Sequence, residues 1–375
     1  MKSFPRTVRI IFITAAALIG FLFSQNSSII IVTGNVHGQL DPCGWPKKPL
    51  GGLSKKYTTI KQLNQQGLDP LILDAGDLLF KYSVLPDSSR NSDLFNASKI
   101  LKGYEKIGCD VINVGKLELS GGLSFLLKQK SSSQIPFISA NLETEKSHKL
   151  IFDPFIIITK EDLQFGIIGL TNLTEVSEDG VIARDYIKEG NKYISKLKNK
   201  VDFIILLINS ERSSYKKLPQ YFPGADIIFT SGSKMLTRPS MKQEENGPFL
   251  FSSGREGRYL NKVTLNFLNK NNNKSFINKT YLQSRIKYQK RRLDRYMDKF
   301  PNQTYEEAYK GQGDILSIFK ESKIEVERMQ KELTKKQNNL EFENLPMGSS
   351  IIDDLKMLDF VDKALIERKA LIKKK

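Results

Sequence analysis

Histidine is nearly absent from this chain: of 375 residues only His37 and His148 carry an imidazole. Imidazole best holds a transition metal and shuttles protons near neutral pH, so a centre built on several histidines is excluded. Cysteine is as scarce. Cys43 and Cys109 lie in different segments, too few for a disulfide-dense scaffold and without zinc-site spacing; whether they pair is left open. The apolar run Ile10 to Phe23 falls short of the roughly 20 residues that span a bilayer as a helix. No stretch interleaves basic residues with aromatics as a nucleic-acid module does, so no nucleic-acid partner is expected despite a net charge of +17.

What is present is a foldable globular composition. An apolar fraction of 39% over this length suffices for one large α/β domain with appendages or for two ordinary domains. The excess of basic residues favours anionic partners, but it is spread along the chain as on a solvated surface. Lys2, Arg6 and Arg9 precede the run Ile10 to Phe23, and polar Ser24 to Ser28 follow it, which is the three-part layout of a secretory signal. Residues 1–28 are read as a signal peptide or an uncleaved N-terminal anchor, and the rest as extracytoplasmic, periplasmic or secreted.

After that segment, strand and helix patterns alternate. Ile29 to Val32, Pro70 to Leu73, Val111 to Val114, Pro136 to Ser139, Phe155 to Ile158, Phe165 to Leu170, Phe203 to Ile208 and Asp226 to Phe229 are short apolar runs rich in β-branched residues. Helical patterns occupy Leu53 to Asn64 and Ser92 to Ile107. Continuous apolar strands between helices predict a sheet buried on both faces, with its site in the loops beyond the strand ends.

Those loops read Thr-Gly-Asn-Val-His-Gly (Thr33 to Gly38), Asp-Ala-Gly-Asp (Asp74 to Asp77), Val-Gly-Lys-Leu-Glu (Val114 to Glu118), Ile-Asn-Ser-Glu (Ile208 to Glu211) and Thr-Ser-Gly-Ser-Lys (Thr230 to Lys234). With Gly51-Gly52-Leu53, Ser139-Ala140-Asn141 and Ser253 to Gly257 in the same order, residues 29 to 265 resemble the metallophosphoesterase domain of secreted 5′-nucleotidases, within the calcineurin-like phosphoesterases. The resemblance implies a four-layer α/β/β/α sandwich over 29–280. It also implies a pair of metal ions that polarise a phosphate and activate a bridging water.

Carried over residue by residue, the metal positions keep only His37 and Asp77, with Asn35 as a neutral third in place of an aspartate. Lys116 stands at a metal-binding asparagine, Leu117 at the histidine that assists the leaving group, and Ser233 and Lys234 in a Gly-His-x-His motif. An ammonium cannot ligate while protonated, and two cations a few ångströms apart repel by about 4 kcal/mol at an effective dielectric of 20. The expectation is therefore a catalytically degenerate binding or scaffolding protein with no cofactor, in which Lys116 and Lys234 form a pocket for phosphate or another small anion. The alternative is a phosphoester hydrolase with one divalent metal (Mn, Fe or Zn) or altered ligands around Asn35, His37 and Asp77.

Beyond residue 280 the period changes. Ile286, Leu293 and Phe300 recur at seven, as do Phe319, Val326, Leu333 and Leu340. This predicts a partly coiled-coil helical extension over 281–375, with a hairpin joined near Pro301 to Asp314 and a last helix at Ile351 to Ile372. These helices are the expected surface for a protein partner, and the basic cluster Arg285 to Arg295 and Lys373 to Lys375 for an anionic membrane.

Overall fold

The computed structural model describes residues 26–44, 49–172, 180–244, 247–268 and 275–372. The run Ile10 to Phe23 and the tail Lys373 to Lys375 lie outside them.

The chain opens with β1 (Asn26–Thr33), a small ladder of β2 (Pro42–Cys43) and β3 (Leu50–Gly51), α1 (Leu53–Gln65), β4 (Leu71–Asp74), α2 (Arg90–Ile107), β5 (Val111–Asn113), α3 (Leu123–Ser132) and β6 (Phe137–Ile138). The second part runs β7 (Leu142–Thr144), β8 (Phe155–Lys160), β9 (Leu163–Thr171), β10 (Val181–Ala183), α4 (Tyr186–Leu197), β11 (Phe203–Asn209), α5 (Leu218–Tyr221), β12 (Ile227–Ser231), β13 (Phe249–Ser252) and β14 (Tyr259–Phe267). It ends with β15 (Ile277–Asn278), α6 (Lys279–Met297), α7 (Tyr305–Ala308), α8 (Gly313–Thr334), β16 (Asn339–Pro346) and α9 (Leu355–Ala370).

Two sheets carry the molecule. One has the order β15-β16-β14-β1-β4-β5-β6, the other β13-β12-β11-β9-β8. Side chains alternate across a strand, so each sheet serves two cores. Ile29 and Ile31 of β1 face a helical layer that includes Ala97, Ile100 and Leu101 of α2, while Ile30 and Val32 meet Phe165, Ile205 and Phe229 of the other sheet. Ile204, Leu206 and Ile208 of β11 turn outward onto Tyr193, Ile194 and Leu197 of α4. The result is the four-layer α/β/β/α sandwich expected, and burial on both faces explains why its strands read as unbroken apolar runs.

Residues after 280 divide differently from the expected extension. The helices α6 and α8 form an antiparallel hairpin: Arg285 meets Glu325 at 2.8 Å, while further along Tyr296 packs its ring 5.6 Å from that of Phe319. Leu340, however, does not continue the heptad seam. The helix α8 stops at Thr334, and residues 339–346 are extended, paired antiparallel with β14 from Asn266 to Tyr259. The alternation Leu340-Glu341-Phe342-Glu343 is a strand pattern: Leu340 and Phe342 are buried between the sheets, and Phe342 stacks on Phe251 with centroids 4.3 Å apart. The helix α9 then packs on α1 and α2, so residues 339–370 belong to the main core, and the helical extension is α6 to α8, joined to β16 through the first turn of α6. Among the described residues no helix is long and apolar enough to cross a membrane.

If β16 is integral, Phe342→Ala should lower the unfolding free energy of the whole protein by about 3–5 kcal/mol, as a fully buried aromatic truncation does. A chemical denaturation midpoint unchanged from wild type would show that the strand is dispensable.

Candidate functional site

Parallel strands of both sheets end on one edge, and the five motif loops meet there. The first two are stitched by backbone bonds: Asn35 N–H donates to the Gly76 carbonyl at 3.0 Å, His37 N–H to that of Asp77 at 2.9 Å and Gly38 N–H to that of Leu78 at 2.8 Å. Asn35, His37 and Asp77 all have left-handed backbones, with φ of 54°, 57° and 56°. Such turns at strand ends aim side chains across the edge and cost local strain.

The third loop is tied in by Glu118. Its buried carboxylate accepts the N–H groups of Asp77 and Gly115, both at 2.8 Å, of Leu78 at 2.6 Å and of Leu79 at 3.0 Å. Four donors fill the lone pairs of the two oxygens, which leaves no acceptor free for another donor. Burial first, and then the charge of Asp77, push this carboxyl above the usual range, while the backbone donors pull the other way. Gly115 is required by closeness: a Cβ there would lie 2.8 Å from both Asp77 Oδ1 and Asn209 Nδ2.

Asp77 is buried beneath a cavity of about 730 Å³ lined also by Asn35, His37, Lys116 and Lys234. All five site residues expected from sequence are therefore brought together. Asp77 Oδ1 accepts the Leu117 N–H at 3.0 Å. Burial raises the Asp77 pKa, opposed by that bond, by the Asn209 amide and by the charge of Lys116. His37 is lowered to about 4, by burial first and by the charge of Lys234 second, so its ring is neutral near pH 7.

Asn35 is spent on the frame. Its Oδ1 accepts the Gly232 N–H at 2.7 Å, and its Nδ2 donates to the carbonyls of Ser233 at 2.9 Å and Gly254 at 2.8 Å. Asn209 is likewise engaged, accepting the Lys116 N–H at 3.1 Å and donating to Ser231 Oγ at 2.7 Å. Asp77 and His37 share the cavity lining with the carboxylates of Glu211 and Glu256 and with the cations of Lys81, Lys116, Lys234 and Arg255. Among the described residues no group of three or more His, Cys, Asp or Glu is placed to hold a metal. This donor set does not fit a pair of divalent ions, which needs several carboxylates and imidazoles to offset dehydration.

Comparison with known proteins places the arrangement. No protein-family model matches the chain. It is 24% identical over 257 residues to a 5′-nucleotidase of Vibrio cholerae, covering 58% of this chain and 45% of that protein. It is 32% identical over 124 residues to protein UshA of Salmonella pullorum, covering 32% and 21%. The fold matches a 5′-nucleotidase precursor from Thermus thermophilus with a TM-score of 0.61 at 15% identity, over 92% of this chain and 58% of that one. It also matches the calcineurin-like phosphoesterase YfkN from Bacillus subtilis at 0.60 and 14%, over 92% and 99%. The chain is similar in sequence to 5′-nucleotidases and shares the fold of a calcineurin-like phosphoesterase. It spans less than half the length of these curated relatives.

Set against the motifs of the family it resembles, the pocket keeps the loop frame and replaces much of the ligand set. Glu118 and Asn209 are the functional positions that sequence reading left without a role. Asp74, the other acid of its motif, faces away from the cavity. It accepts from Thr33 Oγ1 and, at 2.9 Å, from the Gly76 N–H; Tyr104 OH donates to Thr33 at 3.1 Å and Lys56 Nζ to Tyr104 at 3.3 Å. Burial raises Asp74 to about 6 and lowers Lys56 to about 8. Neither cysteine is paired: Cys109 is buried, and Cys43 Sγ lies 3.5 Å from Glu256. His148 stays exposed, with Nδ1 2.9 Å from Glu143.

Two outcomes follow from the electrostatics. Glu118→Gln turns an amide NH₂ toward backbone donors and should cost roughly 2–3 kcal/mol of stability at pH 7, the penalty of buried donors left unmade; a loss under about 1 kcal/mol would show that the four bonds are not holding the loops. With two histidines, proton NMR resolves His37 directly. In metal-free protein its midpoint should lie near 4 and rise in Lys234→Gln. The sign is that of a depressed base: stability from the neutral ring is present above 6.5 and is lost as pH falls toward 4.

Proposed function

We propose that this chain is an extracytoplasmic member of the superfamily that binds a phosphate-type anion over Asp77 and does not cleave it, acting as a binding or scaffolding protein. The observation that carries the reading is that Lys116 and Lys234 line the cavity with Asp77, while the carboxamides of Asn35 and Asn209 are committed to the loops. Ammonium groups take the place of coordinated divalent cations, and their charge attracts an anion to the cavity. The arm of α6 and α8 offers the partner surface. The cations of Arg285 to Arg295 on α6 suit contact with an anionic membrane.

One observation favours a second reading, a one-metal phosphoester hydrolase: His37 is neutral and shares the cavity with Asp77, as a ligand pair would require. Titration calorimetry with inorganic phosphate, beside metal analysis and a phosphatase assay in manganese, separates the two. On the binding reading, phosphate binds the metal-free wild type, and Lys116→Ala with Lys234→Ala loses roughly 10-fold in affinity, about 0.5–1 kcal/mol for each exposed lysine. Stoichiometric manganese with turnover that His37→Ala abolishes would replace binding by catalysis.

A further inference from the structure

The cavity over Asp77 continues sideways. A smaller chamber of about 210 Å³ shares His37, Lys81 and Tyr82 with it and extends to Asp93 and Asn96 of α2 and Arg368 of α9. The helix that supplies this arginine is placed by its own pattern. Met357, Val361 and Ala364 are buried against the helical layer at spacings of four and three, and Arg368 is the next position on that stripe. The stripe that docks α9 therefore carries a guanidinium into the flank of the pocket, while neighbouring Lys369 is exposed.

The charges divide into two poles. Lys116 and Lys234 line the main cavity with Asp77, Arg368 lines the smaller one, and Lys81 stands with His37 and Tyr82 where the two meet, beside Arg368 in the smaller lining. Among the described residues none of these four cations has an ion-pair partner. Three of the acids nearby are already engaged: Glu256 is held by Arg258 at 2.6 Å, Asp93 accepts from Ser89 Oγ at 2.8 Å, and Asp77 accepts the Leu117 N–H, while exposed Glu211 stands at the main cavity. A planar guanidinium presents a donor fork that matches two oxygens of a phosphate-type group, whereas the lysines act as point charges.

We infer that Arg368 makes this a two-anion site, which takes a small molecule bearing two phosphate-type groups, one at the Lys116 and Lys234 pole and one at the Lys81 and Arg368 pole. This rests on the anion-binding reading of the main cavity. It adds a specificity residue from a helix outside the strand-end loops.

The test is calorimetry on the full chain at fixed ionic strength with inorganic phosphate and tripolyphosphate. The wild type should bind tripolyphosphate at least about 10-fold more tightly than phosphate, and Arg368→Gln should remove about that factor for tripolyphosphate alone, leaving phosphate within about two-fold. Lys369→Gln removes the same formal charge from the same helical turn and should leave both affinities unchanged. Equal effects of Arg368→Gln and Lys369→Gln, with phosphate binding intact, would overturn the role of Arg368 and spare the main pocket. Absence of phosphate binding in the wild type would overturn the pocket reading and this inference together.

Discussion

Everything at the strand ends depends on one buried carboxylate. Glu118 gathers N–H groups from two loops, Asp77 to Leu79 and Gly115, onto two oxygens. Backbone amides at the end of a sheet have lost their ladder partners and, once buried, must be satisfied elsewhere. A single charged acceptor does this for four of them, and charge-assisted bonds to backbone donors are among the stronger ones available. The turn that lifts Asp77 into its left-handed conformation is over-determined by this anchor, by the loop pairing from Asn35 to Gly38 and by the contact with Leu117.

The same economy explains why so many ionisable groups survive below the pocket. Asp74, Asp77 and Glu118 are all buried near one another, an arrangement that self-repulsion and desolvation oppose. Each is answered by a different device: Asp74 by Thr33, the Gly76 amide and the more distant Lys56, Asp77 by Leu117, Asn209 and Lys116, Glu118 by amides alone. In a divalent-metal site the cations would carry much of this load. Here the charge of Lys116 opposes the rise that burial imposes on Asp77, after the Leu117 amide and Asn209.

Most of the fold was legible because its signals are periodic. Runs such as Phe203 to Ile208 are apolar without a break, and only a strand covered on both faces uses such a run. The failure at Leu340 has the same root: every seventh residue of a helix and every second residue of a strand both put a leucine there, and Glu341 and Glu343 were the deciding residues. In the site, Asn35, His37, Asp77, Lys116 and Lys234 were found by carrying the motifs of the resembled family onto the loops after strands. The roles of Glu118 and Arg368 were not legible, for opposite reasons. Glu118 binds backbone amides, which leave no mark in the side-chain sequence. Arg368 lies some 290 residues from Asp77 and reaches the pocket only because α9 docks on α2.

A frame and its chemistry are thus separable in this chain. Amides, Gly115 and the spent carboxamides of Asn35 and Asn209 tie the loops to one another through the chain's own groups, apart from the side chains that line the cavity surface. Replacing a coordinating side chain by lysine keeps positive charge near Asp77, because the ammonium supplies it permanently rather than by binding it from solution. On the binding reading proposed above, the exchange gives up the Lewis acid and the activated water that a metal provides. What it retains on that reading is attraction for an anion at a preorganised strand edge, the attraction on which the proposed two-anion site rests.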